Sequence, residues 1–195
     1  MTNPAKPEDT KSKLIVAAFK LIELEGDAHF STRAVCDMAN VTAPTLYHHF
    51  GSADGLLSAV IADAFDQFLA SKRTVVQSPV PIETLVDGWN NYVDFAAARP
   101  RLYAAMMARF LSGADLPAAL EGQSILRSRV AAIDAAGLLK VPMQTAVQIV
   151  WASVNSAALL FLAAKVQPEI AMEPPDKATL AKIRDSAIQM ICKTA

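Results

Sequence analysis

The sequence predicts an all-α fold: an N-terminal three-helix helix-turn-helix head and a C-terminal helical-bundle body, about nine helices in all. Three observations predict it. Apolar residues recur at i, i+3, i+4 and i+7 in every periodic segment, and no run alternates with period two for long enough to form a strand. Proline stands near the start of several segments and glycine or asparagine at the end of others, the asymmetry expected of helix termini. Residues 30–50, FSTRAVCDMANVTAPTLYHHF, pinch two short helices around a tight turn.

The first helix is expected over about residues 8–25, with Ile15, Ala18, Phe19 and Ile22 as its apolar face and Gly26 as its stop. Ser31 is placed to cap the second helix, since its hydroxyl accepts an orphan N–H of the first turn. Val35, Met38 and Ala39 give that helix its apolar face, and Asn40 suits the left-handed conformation that ends it. Thr42 caps a third helix from Ala43 to His49, in which Pro44 falls where a missing N–H costs nothing. Leu46 and Phe50 point inward, leaving Thr45, Tyr47 and His48 outward.

A fourth helix, after Ser52 to about Arg73, carries a wide apolar stripe from Leu56 to Phe68. Its start packs on the head and its end leads into the body, so it is the mechanical link. Ser78-Pro79-Val80-Pro81 marks the boundary, giving a head at 1–51, a linking helix at 52–73 and a ligand-binding and dimerisation domain at 79–195. Body helices are expected at 82–98, 100–111, 117–136, 142–166 and 176–193, with breaks at Ser112-Gly113 and Gly137 and a loop over 168–175.

A polar and aromatic face on a short helix held by a capped turn is the form of a DNA-reading head. Duplex DNA is the expected partner, contacted by Arg33, Thr42, Ala43, Pro44, Thr45, Tyr47 and His48. Thr42, Pro44 and Thr45 are expected nearest the base edges, with Tyr47 and His48 on phosphates, which position a head without reading sequence. Arg33 suits a phosphate or a guanine edge, and Lys6, Lys11 and Lys13 extend backbone contact. Leu46, His49 and Phe50 read as structural, with His49 packed inward.

The segment resembles the DNA-binding head of the TetR (tetracycline-repressor-like) family of bacterial regulators. The matching residues are Gly26, Phe30, Ser31, Arg33, Val35, Ala39, Val41, Thr42, Leu46, Tyr47, His49, Phe50, Leu56 and Leu57. Two positions depart from the pattern. Asn40 stands where the family usually has Gly, and Ala53 where it usually has a phosphate-gripping Lys. The second departure implies that backbone affinity is weaker or supplied elsewhere.

The stretch from Trp89 to Met107 is loosely similar to the ligand-binding body of the Trp-His-Gly-type subgroup, although Asn155 and Ser156 replace the His and Gly that follow Trp151. The resemblance implies that the last two helices pair with their copies in a four-helix homodimer interface. Ala152, Ser156, Leu159, Ile183, Ala187, Ile188 and Ile191 have the spacing for it.

Composition points the same way in part. Hydrophobic residues make up 53% of the chain and mean hydropathy is +0.28, so a large interface and a cavity, or a membrane, must absorb the excess. Residues 141–164 carry no charge and are long enough to cross a bilayer. Gln144, Gln148 and Asn155 interrupt them, however, and amides inside a lone span are costly. A doubly buried helix accounts for the same pattern.

Charge gives no support to nucleic-acid binding: the formal net charge is −1, and residues 1–75 hold seven Lys/Arg against nine Asp/Glu, 7 − 9 = −2. The polar N-terminus has no signal-peptide pattern, and Cys36 and Cys192 read as free buried thiols of a cytoplasmic protein.

Cavity candidates are Trp89, Tyr92, Tyr103, Met106, Met107, Phe110, Trp151, Asn155 and Phe161, because ligand sites are mostly apolar and aromatic with a few polar anchors. Arg109 and Asn155 are the candidate anchors. No phosphate loop, metal spacing or nucleophile elbow is visible, so neither catalysis, a cofactor nor a metal is expected. The expected function is a ligand-responsive, DNA-binding transcriptional repressor, cytoplasmic and homodimeric, released from its operator by a small, largely apolar effector. The alternative is a helical small-molecule carrier or sensor whose head no longer binds DNA; retardation of promoter DNA in a gel separates the two.

Overall fold

The computed structural model describes residues 9–25, 30–73, 78–114, 117–166, 169 and 173–193. Lys6, Gly26 and the start of the first helix at residue 8 lie outside them. Among the described residues there are nine helices and no strand: α1 (Thr10–Glu25), α2 (Thr32–Ala39), α3 (Ala43–Phe50), α4 (Ala53–Arg73), α5 (Pro81–Ala98), α6 (Pro100–Leu111), α7 (Pro117–Ala135), α8 (Met143–Val166) and α9 (Lys177–Ile191). The ends fall within two residues of the periodicity-based expectation, the usual fraying margin.

Local chemistry explains the turns of the head. Ser31 Oγ accepts the Ala34 N–H at 3.2 Å, and Asn40 stops α2 at φ 53°, ψ 51°. The Val41 N–H then reaches back to the Cys36 carbonyl at 3.0 Å. The inner face of α2 is Val35 and Cys36 rather than Val35 and Met38, because Met38 is 45% exposed.

Thr42 does stand at the N-cap of α3, but its hydroxyl makes no cap bond. It pairs instead with the Thr45 hydroxyl at 2.9 Å. Between α3 and α4, Ser52 Oγ accepts the Gly55 N–H, and a Cβ on Gly55 would lie 2.1 Å from the Phe50 carbonyl oxygen. Only glycine lets the two helices meet this closely.

Buried apolar residues form two clusters. The first joins Leu14, Ile22, Val35, Leu46, Leu56 and Val60 of the head to Phe95, Leu102, Tyr103, Met106 and Ala158. The second packs Leu85, Trp89, Val130, Ile133, Val147, Val150, Val154 and Ile191 from α5, α7, α8 and α9. An isolated antiparallel bridge between Leu139 and Cys192 ties the α7–α8 connection to the C-terminal strand-like exit of α9. By length and composition α8 would suffice to cross a membrane; here Ala146, Val147, Val150, Val154, Ala157 and Ala158 bury one of its faces in the protein.

Helix α6 belongs to the first cluster and is bonded to the head at both ends. At its start, Arg101 donates to the Glu23 and Leu24 carbonyls at the end of α1, where a cation also complements the helix dipole. The Leu102 N–H donates to the Glu23 carboxylate at 3.1 Å. Burial pushes the Glu23 carboxyl above its usual range, against the Leu102 N–H and the charges of Arg99, Arg101 and Lys165, which pull it down. At the other end, Arg109 forms a two-pronged ion pair with Asp54 and donates to Ser58 Oγ at 2.7 Å, both on α4.

Two predictions follow from this packing. Leu46 is fully buried, so Leu46→Ala should destabilise the protein by about 2–5 kcal/mol in urea unfolding. The Arg109 bond holds the Asp54 carboxyl below its usual range. A lowered carboxylate contributes stability above its unfolded value and loses it as pH falls through the folded one. Wild type should therefore exceed Asp54→Asn in stability at neutral pH, with the gap closing below about pH 4; a gap that survives at lower pH would contradict the ion pair.

Candidate functional site

The first site is the exposed surface of the head. Arg33, Thr42, Ala43, Pro44, Tyr47 and His48 are exposed and Thr45 is half-buried, so all seven expected DNA contacts reach the surface around one short helix. The Tyr47 hydroxyl lies 3.4 Å from Thr32 Oγ1, which ties the outward face of α3 to the first residue of α2. Thr32 was not anticipated; its position beside the Ser31 cap was the available signal.

One expectation about α3 is corrected. His49 is exposed rather than packed inward. The buried stripe of this eight-residue helix is one residue wide, with Leu46 fully buried and Phe50 half-buried, and His49 at its edge makes ring contacts with His48 and Phe50.

The second site is a cavity of about 850 Å³ enclosed by α4, α5, α6, α7 and α8. Trp89, Tyr92, Met106, Met107, Phe110, Trp151 and Asn155 line it, as expected from their types. Phe65, Phe68 and Leu69 of α4 and Ile125, Leu126 and Arg129 of α7 line it too. Sequence reasoning missed these because a helix stripe does not say whether it faces a partner or a void.

Three expectations about the cavity are corrected. Tyr103 sits behind the wall, with its hydroxyl donating to Asn155 Oδ1 at 3.0 Å. Phe161 packs on the second core cluster, away from the lining. Arg109 faces α4 and is occupied by Asp54 and Ser58, so it is no anchor for a ligand. The phase of α6 is the reason: Met106 and Phe110 share one face, and Arg109 lies on another.

Asn155 is also spoken for. Its Oδ1 accepts Tyr92 at 3.3 Å as well as Tyr103, and its Nδ2 donates to the Trp151 carbonyl at 2.8 Å. Burial raises the Tyr103 phenol to about 12 and Tyr92 further, so both hydroxyls stay protonated and donate at neutral pH. Trp89 Nε1 donates to Ser153 Oγ at 2.9 Å, which fixes one aromatic wall.

The expected dimer residues divide. Ala152, Ser156 and Leu159 form an exposed, uncharged strip on α8, with Leu159 55% exposed. Ala187 and Ile191 are buried within the chain, Ile191 in the second cluster, and the half-buried Ile183 and Ile188 pack against that cluster. Ala187 and Ile191 offer no surface to another copy, while Ile183 and Ile188 keep part of theirs. An apolar stripe on α9 reads alike whether it meets its own α8 or a second molecule.

Comparison with known proteins agrees with this geometry. Residues 14–60, from α1 into α4, match the sequence model of the tetR family of bacterial regulatory proteins. A 123-residue stretch is 24% identical to the HTH-type transcriptional regulator UidR of Escherichia coli K12, covering 63% of this chain and 62% of that one, less than two thirds of its length.

Among solved structures, Salmonella enterica GusR superposes with TM-score 0.67 at 18% identity over 97% of this chain and 99% of that one. A protein of unknown function from Rhodococcus sp. RHA1 superposes with TM-score 0.79 at 19% identity over 98% and 100%. These likenesses extend the shared all-α fold across the body. Residues 14–60 thus carry the sequence pattern of the tetR family of bacterial regulatory proteins, and the rest of the chain shares the all-α fold of these solved structures.

Proposed function

We propose that the chain is a cytoplasmic, homodimeric repressor that binds operator DNA through α3 and releases it when a small, largely apolar effector fills the cavity. The observation that carries this reading is α6. Its middle supplies Met106, Met107 and Phe110 to the cavity, while its ends are bonded to α1 and α4 of the head. An occupant that moves α6 must move the head or break those bonds.

In the proposed complex α3 enters the major groove. Thr42, Ala43, Pro44 and Thr45 face base edges, while Tyr47 and His48 bond phosphates with Arg33 beside them. Two-fold pairing suits such a short reading helix, since half-sites lie about 34–36 Å apart or a multiple of it. A few ångströms of change in head separation then prevents both heads from docking. The effector acts through its unequal affinity for the two arrangements. The uncharged strip Ala152, Ser156 and Leu159 on α8 is the proposed contact between copies, in keeping with the high apolar content of the chain.

Fluorescence anisotropy with DNA from upstream of the chain's own gene tests the DNA reading. Tyr47→Ala should weaken binding about fivefold on specific and unrelated duplexes alike, as expected for one phosphate bond. Thr45→Ala should instead narrow the difference between them. No binding of the wild type at low salt would favour a carrier whose head has lost DNA. For the dimer, Ser156→Arg should yield monomers in sedimentation with helix content unchanged and promoter affinity lowered more than tenfold; a wild type that is already monomeric at micromolar concentration would remove the proposal.

A further inference from the structure

We propose that the cavity selects an amphipathic carboxylate, its anionic group seated on the Arg129 guanidinium and its apolar body against Trp89, Phe65 and Met106. This inference rests on the reading of the cavity as an effector site and names the effector's chemical class.

Arg129 reaches the cavity wall from α7 by lying against α5 at Gly88. A Cβ on Gly88 would sit 1.5 Å from Arg129 Nη1 and 2.6 Å from Cζ. The guanidinium thus occupies the space that any other residue's side chain would fill. A glycine in the middle of a helix costs about 1 kcal/mol relative to alanine, and this one has no turn to make.

The charge brought there is not neutralised by a close partner. Among the described residues the ion pairs are Arg109–Asp54 and Arg184–Asp185, and Arg129 enters neither. Asp87, exposed on α5, acts on it only through space, while burial pushes the guanidinium below its usual value. It still carries its proton at neutral pH.

The other polar groups of the lining do not meet this need. Asn155 is neutral, its Oδ1 accepting Tyr92 and Tyr103 and one Nδ2 hydrogen held by the Trp151 carbonyl, and so brings no charge to the lining. Glu121 has an interaction of its own and lies eight residues before Arg129 on the same helix, about 12 Å along the axis. A half-buried guanidinium without a close counter-charge is costly, and its planar fork fits a carboxylate through two parallel bonds. The rest of the wall is mostly aromatic and aliphatic with the neutral amides Asn91, Gln123 and Asn155, so Arg129 is the cation of the lining that an anionic end would meet.

Both tryptophans of the chain, Trp89 and Trp151, line the cavity, so their fluorescence reports occupancy directly. The probes are biphenyl-4-carboxylate and its neutral carboxamide, alike in shape and unlike in charge. The wild type should bind the carboxylate at least about tenfold more tightly. Arg129→Gln should abolish that preference by weakening the carboxylate alone, and Arg129→Lys should restore part of it. Gly88→Ala, which displaces the guanidinium without removing its charge, should reduce the preference.

A folded Arg129→Gln protein that keeps the full preference overturns the assignment and leaves the cavity reading standing. Equal wild-type affinity for both probes does the same. Failure of both probes to change the fluorescence overturns the cavity reading and this inference with it. If Arg129→Gln does not fold, Gly88→Ala decides, and an unchanged preference there overturns the assignment.

Discussion

The double attachment of α6 to the head is the constraint on which the rest of the structure depends. A helix of twelve residues, about 18 Å long, is bonded to the end of α1 through Arg101 and to the start of α4 through Arg109. Those are the two long helices between which α2 and α3 are held, since Leu14, Ile22, Val35, Leu46 and Leu56 share one core. The head's orientation is therefore set by α6 as well as by the chain running through α4. The bonds are not equally secure. Asp54 is largely exposed and the Arg109 Nε is buried without a partner among the described residues, so the α4 attachment is the weaker of the two.

The same helix forms a wall of the cavity, which on the proposed reading would join recognition to sensing. A close-packed interior does not deform continuously. On the proposed reading, an occupant that displaces Met106 or Phe110 moves α6 as a body, with consequences at both attached ends. Tyr103 of α6 also donates to Asn155 of α8, which accepts Tyr92 of α5 as well, so α6 is tied to the other walls of the cavity as well as to the head.

Much of the head was legible in the sequence because its geometry is written in local preferences. Ser31 at a cap, Asn40 in the left-handed region and Pro44 at a helix start each act within a few residues. The cavity's aromatic and methionine lining was legible from residue type. What was not legible depends on helix phase and on neighbours distant in sequence. Arg109 and Met106 look equally available on one short helix, yet they face α4 and the cavity respectively. Ala187 and Ile191 have the spacing of an interface but are buried within the chain itself. Arg129 reads as a solvated charge on a mixed helix until Gly88, 41 positions away, is found beneath it. An interior helix glycine with no turn to explain it was the one signal that something approached.

Hydrogen–deuterium exchange with and without promoter DNA tests the coupling most directly, because linkage between two sites is reciprocal. Bound DNA should slow exchange in residues 42–50 and also alter it in residues 100–111, which are remote from any duplex on the head. Protection confined to the head, with α6 unchanged, would contradict the claim that α6 connects the two sites.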